Sequence, residues 1–134
     1  MDLLPQEIEV WYILPSIRKE LAVGMMEKGY KQKHIAKILG ITEAAISQYK
    51  SSKRASFVDL TDGIKKRIAE IVEKVSSRCP PEAFDAKNES CNYSQKRYQE
   101  IQKLLDISRD ERLVCDIHRK LCGADSKCVL CFEE

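Results

Sequence analysis

The stretch from Lys31 to Arg54, KQKHIAKILGITEAAISQYKSSKR, constrains the fold more than any other part of the chain. Ile35, Ala36, Ile38 and Leu39 recur at helical spacing and predict a short helix with an apolar inner stripe. Gly40 follows at once, and a glycine just past such a run takes the left-handed conformation that ends a helix. Ile41 fills the turn, and Thr42 is suited to cap a second helix by accepting from backbone donors that would otherwise be orphaned. Ala45, Ile46 and Tyr49 are the inner face of that second helix, and Ala36 is small enough to let the two backbones approach. Two short helices joined by a tight turn in this way form a helix-turn-helix, whose second helix lies in the major groove of DNA.

The rest of the chain agrees with a small helical protein. At 134 residues it is one domain or two very small ones. With 33% charged and 43% hydrophobic residues the composition is that of a globular protein, and no apolar run approaches the ~20 residues that cross a bilayer. No basic segment followed by an apolar one opens the chain, so no membrane association and a cytoplasmic location are expected. In that compartment thiols stay reduced and cysteines are more often metal ligands than disulfides. The net charge of +2 hides an asymmetry: residues 16–78 hold 14 Lys or Arg against 7 Asp or Glu, whereas residues 1–15 and 79–134 are net acidic. The positive charge thus coincides with the helix-turn-helix, where neutralised phosphates supply non-specific affinity.

Along the chain, residues 7–14 alternate as a short strand would, or form a helical turn that packs Trp11 on the bundle. Pro15 and Ser16 start a helix through about Lys28, with Ile17, Leu21, Met25 and Met26 inward, and Gly29 ends it. After the helix-turn-helix, Ser51 to Val58 is a polar loop. Thr61 caps a long helix to about Ser77 with Ile64, Ile68, Ile71, Val72 and Val75 as its stripe. Consecutive prolines at 80 and 81 break it, and residues 80–92 read as a linker. Helices follow over about 94–107 and 110–121, then a loop. The fold class is all-α: a helix-turn-helix bundle over residues 1–78, then a small helical, cysteine-rich metal-binding tail over residues 79–134.

Candidate DNA contacts follow from the register of the second helix. Glu43, Ala44, Ser47 and Gln48 lie opposite its inner stripe, and Thr42 stands at its start. Gln48 pairs with adenine, Glu43 accepts from cytosine and Ala44 touches a thymine methyl in such a geometry. Gln32, Lys33, Lys50, Lys53 and Arg54 are placed for phosphates, which fix position without reading sequence. His34 is expected on the exposed side of its helix.

Five of the six cysteines lie between Cys91 and Cys131. Cys128-Val-Leu-Cys131 is a Cys-x2-Cys knuckle, whose short turn aims two soft thiolates at one zinc ion or iron–sulfur cluster. Cys115, His118, Cys128 and Cys131 form a structural zinc set. Cys115, Cys128 and Cys131 with either Cys91 or Cys122 form the all-cysteine set of an iron–sulfur cluster. Cys115 and Cys122 stand two helical turns apart, about 10.5 Å, and an antiparallel hairpin brings Cys91 near the knuckle, which favours Cys91. Cys79 reads as a buried apolar cysteine. There is no Ser/His/Asp set and no phosphate-cradling glycine loop, so neither an enzyme nor a small-molecule substrate is expected.

The run QKHIAKILGITEAAISQYKSSKR resembles the helix-turn-helix of the lambda-repressor-like, or XRE-type, regulators. With the preceding ILPSIRKELAVGMMEKGY it is similar to a group of small archaeal regulators of that type that carry a cysteine-rich C-terminal segment. Leu113-Val114-Cys115-Asp116-Ile117-His118-Arg119 and the Cys128–Cys131 knuckle match the tail motifs of that group, while an upstream Cys-x-x-Cys is missing here. The resemblance implies a homodimer on a double-stranded DNA operator. It also implies a 4Fe-4S cluster, with zinc as the alternative, that senses redox state, oxygen or iron–sulfur status. A regulator with a purely structural zinc, and a protein-interaction module that does not bind DNA, are the competing expectations.

Overall fold

A helical run opens at Pro5 and continues to Glu27 through a change of winding: α1 (Pro5–Ile8), a π-turn (Glu9–Ile13) and α2 (Leu14–Glu27). The computed structural model describes residues 4–51, 55, 57–82 and 97–122. Pro15 has no N–H to give, and in a regular α-turn its ring would press on the carbonyl one turn back. The wider π-turn stands just before it, with the Leu14 N–H reaching five residues back to the Glu9 carbonyl. The apolar stripe follows that winding. Ile8, Ile13, Ile17, Leu21 and Met25 are at most 2% exposed, and the five-residue step from Ile8 to Ile13 keeps both on one face. The alternation at 7–14 is therefore the helical alternative rather than the strand, Ser16 lies inside a helix rather than at its start, and Trp11 is 41% exposed.

α3 (Gln32–Leu39) and α4 (Glu43–Ser51) follow, then α5 (Asp62–Arg78), α6 (Arg97–Asp110) and α7 (Leu113–Cys122). No strand occurs among the described residues, and the described chain is all-α. The Thr61 hydroxyl accepts from the Ile64 N–H at 3.3 Å, the cap its position implies. Ala55 and Phe57 have helical backbone where the polarity of 51–58 suggests a loop. Phe57 gives the reason, since its ring stands edge-on to Tyr12 at 5.9 Å and under the Lys120 ammonium at 5.8 Å. The break between α6 and α7 falls at Glu111–Arg112, beyond the expected 107, where Arg112 turns the chain with φ 55°.

α2 is the central element and packs against α3, α4, α5 and α6. It approaches α5 closely at Gly24, where a Cβ would sit 2.9 Å from Val72 Cγ2. One cluster of buried side chains joins Ile17 and Leu21 of α2, Ile35 and Ile38 of α3, Ile46 of α4, Ile64 and Ile71 of α5, Leu104 of α6, and Val114 and Ile117 of α7. The helices on either side of residue 78 thus share a core. Two ion pairs tie α6 to the rest: Arg67 to Glu100 at 2.8 Å and Glu9 of the π-turn to Arg109 at 3.1 Å, with both carboxylates nearly enclosed. No described helix is long and apolar enough to cross a membrane.

Tyr30, buried between α2 and α3, donates its hydroxyl to the carbonyls of Val75, at 3.2 Å, and Cys79. The Val75 carbonyl also accepts from the Cys79 N–H at 2.8 Å, so the hydroxyl joins the last turn of α5 to the chain beyond it. Burial, and after it the Glu82 carboxylate, push its phenol up from 10.0 to about 12. The folded chain holds this proton more tightly than the unfolded chain, so the contribution is complete below pH 10 and is lost as pH rises through about 12. Alkaline unfolding monitored by circular dichroism is expected to show that fall, and Tyr30→Phe to remove it while lowering stability at neutral pH by about 1 kcal/mol.

Candidate nucleic-acid interface and cysteine tail

α3 buries Ile35, Ala36, Ile38 and Leu39 as their spacing predicts. Gly40 ends the helix with φ 71° and ψ 34°, a left-handed conformation that suits glycine. The Ile41 N–H returns to the Ala36 carbonyl at 3.0 Å, closing the turn, and Ile41 is half-buried in it. The Thr42 hydroxyl accepts from the Ala45 N–H at 3.0 Å and so starts α4. Ile46 is fully enclosed, and Ala45 and Tyr49 flank it half-buried. That seating fixes what α4 presents outward: Glu43, Ala44, Ser47, Gln48 and Lys50 are all exposed, as are Thr42 and, from α3, Lys33. Glu43 in the first turn also complements the helix dipole.

Two side chains hold α4 in place. Gln32, at the start of α3, donates its amide to the Glu43 carbonyl at 2.9 Å and to the Ser47 hydroxyl at 2.7 Å. Its spacing suggests a phosphate contact; in the fold its NH2 is engaged by α4. At the other end Arg18 of α2 donates from Nη1 to the Tyr49 hydroxyl at 3.3 Å. The Gln32 link bridges eleven and fifteen residues, and the Arg18 link thirty-one. Neither leaves a periodic signal in the sequence, so both escape a reading of the sequence alone. The expected contacts Lys53 and Arg54 lie outside the described residues.

His34 is 2% exposed, which corrects its expected place on the helix surface. It sits beside Ile35 on the buried side of α3, where an imidazole serves as a polar core residue rather than a ligand or surface group.

Of the proposed metal ligands, Cys91, Cys128 and Cys131 lie outside the described residues. Cys115 is 4% exposed, on the inner side of α7 beside Val114. His118 stands one turn later and half-buried. α7 extends to Cys122, so Cys115 and Cys122 are separated by seven helical residues, about 10.5 Å of rise, too far for adjacent ligands of one small site. Cys79 is disulfide-bonded, not a reduced core thiol, and is half-buried against the core at the end of α5. A sulfur with a covalent partner has a reason to sit at a helix end that residue type alone does not disclose. Among the described residues no three His, Cys, Asp or Glu side chains converge as a metal site would require.

The arrangement offers a short helix, exposed on its outer side and tied to its neighbours through Gln32 and Arg18. No protein-family model, curated protein or solved structure matches the chain.

Proposed function

We propose that this chain is a sequence-specific DNA-binding transcriptional regulator of the helix-turn-helix type, binding an operator as a homodimer. The observation that carries the reading is the seating of α4. Ile46 is enclosed while Glu43, Ala44, Ser47 and Gln48 stand exposed on the outer side, and the segment around them holds the chain's excess of positive charge. An exposed helix of this length fits a major groove, and its N-terminal residues are the ones that meet base edges. Gln48 reads a base and Lys50 neutralises a phosphate in this account. Selecting duplexes from a random pool therefore yields one preferred sequence. Gln48→Ala relaxes the preference at one position at a cost of about 1–3 kcal/mol, and Lys50→Ala weakens all sequences alike and lowers the salt slope by about 1. Equal binding of every duplex by the wild-type chain would reject sequence reading.

The tail is proposed to hold a 4Fe-4S cluster that senses redox state, oxygen or iron–sulfur supply. The chain has six cysteines, five of them from Cys91 onward, and Cys115 stands on α7 among the described residues. Four thiolates are what such a cluster requires, and when bound it supplies a centre that gains or loses electrons and is destroyed by oxygen. The protein's own part is to carry Cys115 on α7, whose Val114 and Ile117 enter the shared core, so that order in the tail bears on the helices that hold α4. A second reading, a structural zinc, is favoured by one observation: Cys115 and His118 share a face of α7 at the spacing of a Cys-x2-His ligand pair. Protein purified without oxygen is expected to carry iron and sulfide and to show a visible band near about 400 nm that air bleaches. Stoichiometric zinc with no visible band would decide for the second reading.

A further inference from the structure

Between α2, the α3–α4 turn and α6 lies a cleft of about 370 Å3, within the range of small-molecule sites. Leu39, Ile101 and Leu105 form apolar walls, Gln102 and Tyr98 lie at its polar side, and Arg18 is the one charged side chain among the residues that line it. The Arg18 Nε is shut off from solvent and has no hydrogen-bond partner among the described residues, while Nη1 donates to the Tyr49 hydroxyl at 3.3 Å. A buried donor with no acceptor is costly, and a guanidinium edge matches a carboxylate with two parallel bonds.

We propose that this cleft binds a small organic carboxylate. Its apolar body lies against Leu39, Ile101 and Leu105, and its carboxylate accepts from the Nε edge of Arg18 after a small rotation of the guanidinium. The same guanidinium holds Tyr49 of α4, so an occupant that draws Arg18 toward the cleft alters the clamp on the end of that helix. The consequence for DNA rests on the function proposed above; the binding itself does not.

The test is a calorimetric titration of the full-length chain with benzoate and with its neutral isostere benzamide, in the absence of DNA. Benzoate is expected to bind with a Kd of about 1 mM or tighter, and benzamide at least about tenfold more weakly. Leu105→Trp, which fills the cleft, is expected to abolish benzoate binding. Arg18→Gln, checked for helix content by circular dichroism, is expected to erase the preference for benzoate over benzamide. The proposal is overturned if benzamide binds the wild-type chain as well as benzoate does, or if Arg18→Gln keeps the preference. It is equally overturned if no saturable heat appears up to about 10 mM benzoate, or if inorganic phosphate competes as well as a second organic carboxylate. A chain that binds benzoate but no duplex DNA keeps the cleft and loses the regulator reading, and the reverse result does the opposite.

Discussion

Ala44→Asp is expected to abolish operator binding, by about 100-fold or more, while leaving the fold and its thermal transition unchanged. Ala44 is exposed in the first turn of α4, whose buried residue is Ile46. A carboxylate there complements the helix dipole, so stability holds or rises by a few tenths of a kcal/mol. Against DNA the same carboxylate meets phosphates and base-edge acceptors, and like-charge juxtaposition costs several kcal/mol. Since about 1.4 kcal/mol is tenfold in affinity, a loss of at least two decades follows. Electrophoretic mobility shift beside a calorimetric melt reads both quantities. A variant that binds as the wild type does would place the nucleic-acid surface elsewhere.

Two residues along, the effect inverts. Ile46→Ala is expected to cost about 2–5 kcal/mol of folding stability, because Ile46 is 0% exposed and closes the core between α4 and its neighbours. A domain of this size has about 5–15 kcal/mol in total, so a large part of its stability goes with one side chain. Chemical denaturation is expected to show a lower midpoint at a similar slope, and loss of DNA binding then follows from loss of structure. The contrast between positions 44 and 46 separates the surface of α4 from its anchor. A midpoint shifted by less than about 0.5 kcal/mol would mean that α4 is not held by this contact.

The parts of the fold that are legible in the sequence are those with local causes. The α3–turn–α4 unit is written in a periodic stripe, a glycine with positive φ and a threonine cap, and each does what its chemistry implies. α5 is written in the same way, with Thr61 at its start and Ile64, Ile68, Ile71, Val72 and Val75 inward. The N-terminal segment is misread because Pro15 looks like a helix start, whereas a π-turn ahead of it lets the helix run through. What holds that turn is distant: the Glu9 carboxylate meets Arg109, one hundred residues along the chain. The burial of His34 and the engagement of Gln32 by α4 likewise depend on neighbours brought in by the fold. The cleft beside Arg18 has no sequence signature, since its walls come from α2, the turn and α6. The tail motifs are visible as spacing, but Cys128 and Cys131 lie outside the described residues, and of the candidate ligands in the motifs Cys115 and His118 have a described setting.

The most direct measurement is the apparent affinity of the full-length chain for duplex DNA as salt is raised from about 50 to 200 mM. A basic surface set around α4 predicts a straight fall of log affinity with log salt, by a slope of about −0.9 for each phosphate neutralised, made shallower by Lys33→Ala and Lys50→Ala together. No binding at the lowest salt, or an affinity that salt leaves unchanged, would contradict it.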